Sequence, residues 1–436
     1  LFRACSIIKH KFTSFVKQLF SSNVKLITDI FWEVFMEKSY IVSAKRTAIG
    51  SFNGALSTVP AADLGSAVVK DIFRESGVSP AVLDEVIVGN ILPAGCKQGI
   101  GRQVAVNAGV PYEIPAYAVS MACGSAMKAI MTAVVNIRAG AGDLYVAGGT
   151  ESMSLAPYLM PGARTGLRMG NKEIIDHMVY DALTDAFHGY HMGITAENVA
   201  KKHGISREAQ DEFAYTSQQK AIKAVDGGAF KNEITPVSMR VRKEEVVVDT
   251  DEYPNRKTDL QKLATLRPAF LEGGTVTAGN ASGINDGAAF ALVASQSALE
   301  KHGLTPLAEI VGIGQGGVDP AVMGLGPVPA VAAALKNAGL TLKDMDLIEL
   351  NEAFAAQSLG VVTELSQQHG VSVEDILART NLNGGAIALG HPVGASGARI
   401  VVTLLHLMLQ KGARYGLASL CIGGGMGTAV ILKSVK

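Results

Sequence analysis

Four side chains, far apart in the chain, have the types and settings to do chemistry. Cys123 stands in Ser120-Met121-Ala122-Cys123-Gly124-Ser125, just before a helical pattern with an apolar stripe. Unpaired N–H groups and the positive end of a helix dipole favour a thiolate there, which predicts a lowered pKa and a nucleophile. The competing reading is a small core residue. His391 lies in Asn383-Gly384-Gly385-Ala386-Ile387-Ala388-Leu389-Gly390-His391-Pro392. Glycines there let bare backbone pass close to a ligand, and Pro392 restricts where the imidazole points. Cys421 ends an apolar run just before Gly423-Gly424-Gly425, and Asn351-Glu352-Ala353-Phe354 follows another. All four lie at strand ends or helix starts, the face on which open α/β sheets build sites.

The elements that must position them occur twice. Ser76-Gly77-Val78-Ser79 leads into Leu83–Gly89, and Ala338-Gly339-Leu340-Thr341 leads into Met345–Asn351. An Ala-rich helical pattern precedes each, over Ala61–Phe73 and Pro329–Lys336. Further on, Gly124-Ser125-Ala126 opens a helix with apolar residues at 127, 130, 131, 134 and 135, and a strand from Leu144 runs into Gly148-Gly149. Ser396-Gly397-Ala398 opens its counterpart, apolar nearly all round and hence buried, and Leu417–Leu420 runs into the three glycines. The reading is two copies of one α/β unit, with mostly parallel sheets covered on both faces and an insertion of roughly 154–282 between them.

Composition bounds what this can be. The chain has 436 residues, 48% hydrophobic and 18% charged, which allows a large core and excludes disorder. Lys+Arg 39 against Asp+Glu 39 argues against a nucleic-acid binder, while leaving room for a local phosphate contact. The 48 Gly show no collagen period and point to tight turns and close backbone approaches. Cys5, Cys96, Cys123 and Cys421 have neither zinc-ribbon nor disulfide-framework spacing, so no metal is expected and a reducing compartment fits. No apolar run is long enough to span a membrane. Residues 1–35 hold several Lys and Phe and, through residue 28, no acid; they read as a transit peptide or as an extension ahead of a start at Met36.

From Met36 onward the chain resembles the thiolase family, through the segment around Cys123, Asn-Glu-Ala-Phe at 351–354, Gly-His-Pro at 390–392 and Cys-Ile-Gly-Gly-Gly at 421–425, all in order. Leu183-Thr184-Asp185-Ala186-Phe187 and His191-Met192-Gly193 place it nearest the biosynthetic acetoacetyl-CoA thiolases. The resemblance implies a duplicated, five-layered αβαβα thiolase fold with an inserted loop domain. Residues 36–153 with about 283–306 would form one half and 307–436 the other; 154–282 would bind CoA and make tetramer contacts. It further implies Cys123 as acyl nucleophile, His391 as base and oxyanion donor, and Cys421 as proton acceptor and donor. Asn351 would hold an oxyanion-binding water, and the Gly423 N–H would join that of Cys123 in a second oxyanion hole. Leu183, His191, Met192, Ala278, Ser282, Ala353 and Phe354 are carried over as pantetheine and thioester contacts, with Arg256 for the 3′-phosphate. Cys421 separates this pattern from ketoacyl synthases, which would place a second His there.

Some residues depart from the family pattern. Asn255 and Lys262 replace the expected Arg and Ser at the adenine end, Ala126 a usual Gly, and Ser120 a frequent Asn. Other signals are discounted: Gly312–Gly317 imitates a dinucleotide loop with no helix after it, Asn280-Ala281-Ser282 is a bare sequon, and Cys96 reads as an inert loop thiol. Glu352 reads equally as a polarising, solvated or structural carboxylate, and the charged run 240–245 as an exposed strand or hairpin. The expectation is a cytoplasmic homotetrameric acetyl-CoA C-acetyltransferase acting on acetyl-CoA, acetoacetyl-CoA and CoA with no permanent cofactor. A transit peptide would make it mitochondrial. The alternatives are a broader 3-ketoacyl-CoA thiolase and, from another class, a non-catalytic acyl-CoA-binding protein.

Overall fold

The computed structural model describes residues 37–435, nearly all of them in the compact unit Ser39–Lys436. Of the other unit, Leu1–Lys38, only residues 37 and 38 are described, so both readings of 1–35 lie outside the described residues, as does Cys5.

The first half consists of β1 (Ser39–Thr47), α1 (Ala61–Ser76), β2 (Glu85–Gly89), β3 (Ala116–Val119), α2 (Ser125–Arg138) and β4 (Leu144–Ser152), completed by β5 (Asn285–Ser295). Between β4 and β5 lie α3 (Met192–His203) and α4 (Arg207–Asp226). The second half holds β6 (Ala308–Gly317), α5 (Pro327–Ala338), β7 (Leu347–Leu350), α6 (Ala355–His369), α7 (Ser396–Lys411), β8 (Tyr415–Ile422) and β9 (Met426–Ser434).

These strands run β7-β8-β9-β6-β1-β5-β4-β2-β3 across one sheet, which is a mirror order about the β6–β1 seam. At the seam only Tyr40–Glu309 and Ile41–Ala308 pair. Even the outer edge repeats, since an isolated parallel bridge from Ile348 to Thr380 stands where β2 pairs with β3 in the first half. The sheet is mixed, which corrects the expectation of mostly parallel strands. Among these nine strands β2–β3, β2–β4 and β7–β8 are parallel, while β5 and β9 run antiparallel to both neighbours. The reason is local. β8 turns straight into β9 through Gly423-Gly424-Gly425, where positive φ at Gly424 (86°) and Gly425 (84°) permits a reversal without a crossover helix. In the first half, residues 153–284 take the place of that short turn.

Three apolar cores define the layering. α2 and α7 pack side by side in the central core, sandwiched between strands of the two halves. α1 covers the outer face of the first half, while α5 and α6 cover that of the second. The result is helix, sheet, helix, sheet, helix, the five α/β layers that the resemblance implies. α7 is central and wholly enclosed: every residue from Ser396 to Met408 is buried, the polar row Ser396, Arg399, Thr403 and His406 bonding inside the protein, and Gly412 (φ 64°) ends it. Each of Ile400, Val401, Leu404 and Leu405 contributes about 1.5–3 kcal/mol of burial, so Leu404→Ala would cost about 2–5 kcal/mol.

The insertion is tied to this frame by buried ions. Arg46 on β1 bonds Glu233 at 2.6 Å and Asp251 at 2.7 and 2.8 Å, all inside the protein. Residues 240–245 are the tip of a hairpin, Val237–Val241 against Glu244–Val248, with the turn at 242–243. The segment 312–317 is part of β6, paired with β9, and holds no phosphate loop. Among the described residues no helix is long and apolar enough to cross a membrane, and no His, Cys, Asp and Glu cluster could hold a metal.

Candidate active site

The nucleophile segment is a strained turn at the amino end of α2. Ala122, next to Cys123, has φ 43°, a left-handed conformation that costs a non-glycine residue about 1–3 kcal/mol. Ser125 holds the turn closed. Its Oγ accepts from the Met121 N–H at 2.8 Å and donates to the Ala122 carbonyl at 2.7 Å. The Ala126 methyl, in the place of an expected Gly, packs against Gly149, where an added Cβ would sit 2.7 Å from it.

His391 is fixed from both sides. Its N–H donates to Asn285 Oδ1 at 2.9 Å, and Gly390 (φ 103°) leaves no room for a Cβ beside that amide. Nδ1 lies 2.6 Å from Ser396 Oγ, whose hydroxyl donates to the Pro392 carbonyl at 2.9 Å. A hydroxyl that has given its hydrogen away must accept here. The network therefore assigns the proton to Nδ1 and leaves Nε2 as the bare, basic nitrogen. Asn351, one residue past β7, sits behind with its Nδ2 3.5 Å from His391 Nδ1.

Cys123, His391, Cys421 and Gly423 line one cavity of about 450 Å³. Its walls include Leu183, His191, Met192, Ala278, Ser282, Ala353 and Phe354, so seven of the eight CoA-contact positions converge with three of the four reactive side chains. Asn351 is 1% exposed and lies outside the lining. Arg256 is outside as well. It belongs to an adjoining groove that shares Ser51, Tyr253 and Ala278 with the cavity, and its guanidinium is held by Asp226 at 2.8 and 2.6 Å. A phosphate there would share that guanidinium with a carboxylate.

Burial governs the electrostatics. It raises the Cys123 thiol above its ordinary value, while the N–H groups of Gly423 and of Cys123 itself pull it down by hydrogen bonding. The expected net lowering is thus wrong in sign: desolvation outweighs the helix terminus. Both N–H groups bond the sulfur, so they flank the atom at which an acyl carbonyl would be attached. Cys421 is pushed well above the usual thiol range by burial and then by Cys123, so it is protonated at rest. Burial, aided by the nearby Arg399 charge, pulls His391 down to about 3 and keeps it neutral.

Several contributors carry no signal in the sequence. Ser396 reads as an ordinary helix-start serine, and its spacing of five residues from His391 acquires meaning only in the fold. Asn285 reads as the first residue of a strand. Glu151, at the end of β4, accepts from Ile91, Leu92 and Gly394 N–H groups and from Asn90 Nδ2, strapping the His391 loop to the first half. Phe270 stacks on His191 with ring centroids 4.6 Å apart and forms part of the cavity wall. Glu352 is neither solvated nor aimed at substrate. It is buried and bonds Ser217, Asn381 and the Ile387 N–H, tying α4 to the second half.

A family model described as "Thiolase, N-terminal domain" matches residues 39–297, and one described as "Thiolase, C-terminal domain" matches 304–434. The chain is 52% identical over 398 residues to a Pseudomonas aeruginosa protein named acetyl-CoA acetyltransferase, covering 91% of this chain and 99% of that one. The solved structure of acetyl-CoA acetyltransferase from Syntrophomonas wolfei superimposes with a TM-score of 0.89 at 43% identity, covering 92% of this chain and all of that one. Human mitochondrial 3-ketoacyl-CoA thiolase superimposes with a TM-score of 0.86 at 42% identity, covering 92% of this chain and 99% of that one.

Proposed function

The chain belongs to the thiolase family, and from that premise we propose that it is an acetyl-CoA C-acetyltransferase, an acyltransferase that condenses two acetyl-CoA to acetoacetyl-CoA and CoA and runs in reverse as a thiolase. The observation that carries the proposal is the single cavity in which Cys123, His391, Cys421 and Gly423 meet.

The chemistry follows from the protonation states. His391 Nε2 takes the proton of Cys123 as the sulfur attacks the thioester carbonyl, and the oxyanion forms against the N–H groups of Cys123 and Gly423. Losing one such donor costs about 3–4 kcal/mol of barrier. Cys421, protonated at rest, gives its proton to the departing CoA sulfur and becomes a thiolate. Its high pKa then makes it a strong base, suited to removing a methyl proton from the second acetyl-CoA. The enolate oxygen is met by His391 and a water held by Asn351. Attack of the enolate carbon on acetyl-Cys123 gives a second oxyanion, whose collapse expels the Cys123 sulfur, reprotonated from His391. Proton and acyl group balance over the cycle, with CoA entering only as substrate and product and no permanent cofactor.

The adjoining groove with Asn255, Arg256 and Lys257 is where the adenine end of CoA would lie. A homotetramer is proposed on the apolar surface of the insertion, where Tyr158, Met160, Leu167, Met169, Ile174, Tyr180 and Phe187 are all exposed. Light scattering on the full chain reads the mass, and a monomer would reject that part. A cytoplasmic location is proposed, with the mitochondrion as the alternative, and a fluorescent fusion to the whole chain distinguishes the two. Thiolysis rates across 3-ketoacyl-CoA chain lengths test the substrate. The proposal requires acetoacetyl-CoA to be cleaved fastest; a maximum at long chains would favour the broader thiolase.

A further inference from the structure

Behind the reactive side chains lies a buried cation that the mechanism leaves unused. Arg399 on α7 is 1% exposed, and so is Asn351 beside it. Arg399 Nη2 stands 3.5 Å from Asn351 Oδ1, on the side of the amide away from His391. Its acidic neighbour holds it loosely: Nη1 is 3.6 Å from Glu349 Oε2. Neither Glu349 oxygen, nor Arg399 Nε or Nη1, has a hydrogen-bond partner among the described residues.

We propose that Arg399 is a positioning residue whose guanidinium fixes which edge of the Asn351 amide faces His391 and the site. The proposal rests on the acyl-transfer reading of Asn351 given above. An arginine side chain only donates, so the amide atom turned toward it must be the oxygen. That leaves the Nδ2 hydrogens on the catalytic side, where a water at the enolate oxygen needs them. With the amide turned over, an acceptor would replace the donor at the same place.

The contact is long, so it orients by charge and dipole more than by a tight hydrogen bond. What makes it effective is that the charge is not quenched. Burial pushes the Glu349 carboxyl up to about 8 even beside Arg399, so much of the pair's charge at neutral pH is the guanidinium alone. Glu233 and Glu352 add more distant negative charge and Arg46 more positive. A Met would fill this volume at lower desolvation cost. Only Arg supplies a permanent cation next to the amide oxygen, and the same charge disfavours an imidazolium at His391.

A double-mutant cycle tests this with the pair variant Arg399→Met/Glu349→Gln, which removes both charges together. Condensation kinetics are measured for the wild type, the pair variant, Asn351→Ala, and the combination. In the wild-type background the pair variant is expected to lower condensation kcat roughly tenfold. KM for acetyl-CoA should be unchanged, because Arg399 does not line the cavity. In the Asn351→Ala background the same change should cost under about twofold, since its effect passes through the missing amide. An equal tenfold loss in both backgrounds, or a KM rise in place of a kcat fall, would overturn the proposal. Circular dichroism and melting verify folding. Should the pair variant not fold, Arg399→Lys takes its place, with a smaller kcat loss that must again vanish beside Asn351→Ala. Failure of the underlying reading would look different: the wild type itself would neither acetylate Cys123 nor condense acetyl-CoA.

Discussion

Removing the Ser396 hydroxyl should disable the base without touching the binding site. Ser396 Oγ is 2.6 Å from His391 Nδ1, donates to the Pro392 carbonyl at 2.9 Å and is fully buried, so Ser396→Ala strands a buried Nδ1–H. Leaving a buried donor unpaired costs about 1–3 kcal/mol. The imidazole can avoid that cost by moving its proton to Nε2, and Asn351 Nδ2, at 3.5 Å, is then placed to donate to the bared Nδ1. The rescued tautomer is the wrong one, because Nε2–H cannot take a proton from Cys123. At about 1.4 kcal/mol per factor of ten, the acetylation rate should fall roughly ten- to hundredfold. The assay is the burst of CoA released on mixing enzyme with acetyl-CoA, measured alongside KM. A burst rate within twofold of wild type would refute the tautomer assignment. A raised KM with an unchanged burst would place Ser396 in binding instead.

Further outcomes are expected from the same geometry. Cys421→Ala should still acetylate Cys123 on incubation with acetyl-CoA but lose condensation by several orders of magnitude; condensation at full rate would show that Cys421 is not the base. Because burial holds His391 at about 3, its neutral, active form persists on acidification, and the acetylation rate should stay nearly flat from pH 7 to 5. An imidazole at its ordinary value would lose roughly thirtyfold over that range. The depressed pKa also means that stability owed to neutral His391 is present above about pH 6.5 and declines below it, by about 1.4 kcal/mol per pH unit, which acid melts would show. Gly425→Ala should destabilise by about 2–4 kcal/mol, because φ is 84° and the new Cβ would sit 2.3 Å from the Val318 carbonyl. Gly423→Ala should melt near the wild-type temperature, its Cβ meeting only Met192 Sδ at 3.7 Å and Ala122 Cβ at 3.9 Å.

What the sequence discloses here, and what it withholds, divides along physical lines. The duplicated helices were legible because burying both α2 and α7 in one central layer demands apolar residues on several faces, a pattern visible in 127–135 and 400–409. Strand direction was not: helix–strand alternation suggests parallel pairing, and the short glycine turn 423–425, which makes β8 and β9 antiparallel, looks the same as a ligand loop. Cys123 and Cys421 were visible as reactive types, but their ionisation was not. The sign of the Cys123 shift depends on how much protein surrounds the sulfur, a three-dimensional quantity that overrides the helix terminus. Ser396, Asn285 and Arg399 act through distances of 2.6 to 3.5 Å to residues from 5 to 106 positions away. No local spacing encodes such contacts. Glu352 was ambiguous for the same reason, and its bonds to Ser217 and Asn381 decide it.

Everything above turns on a covalent acyl intermediate at Cys123, which mass spectrometry of the digested protein after incubation with acetyl-CoA can detect. One added acetyl group is expected on the peptide carrying Cys123, none on those carrying Cys96 or Cys421, and none anywhere in Cys123→Ala. An unmodified Cys123 in folded protein that binds CoA, or an acetyl group found on Cys421 instead, would contradict it.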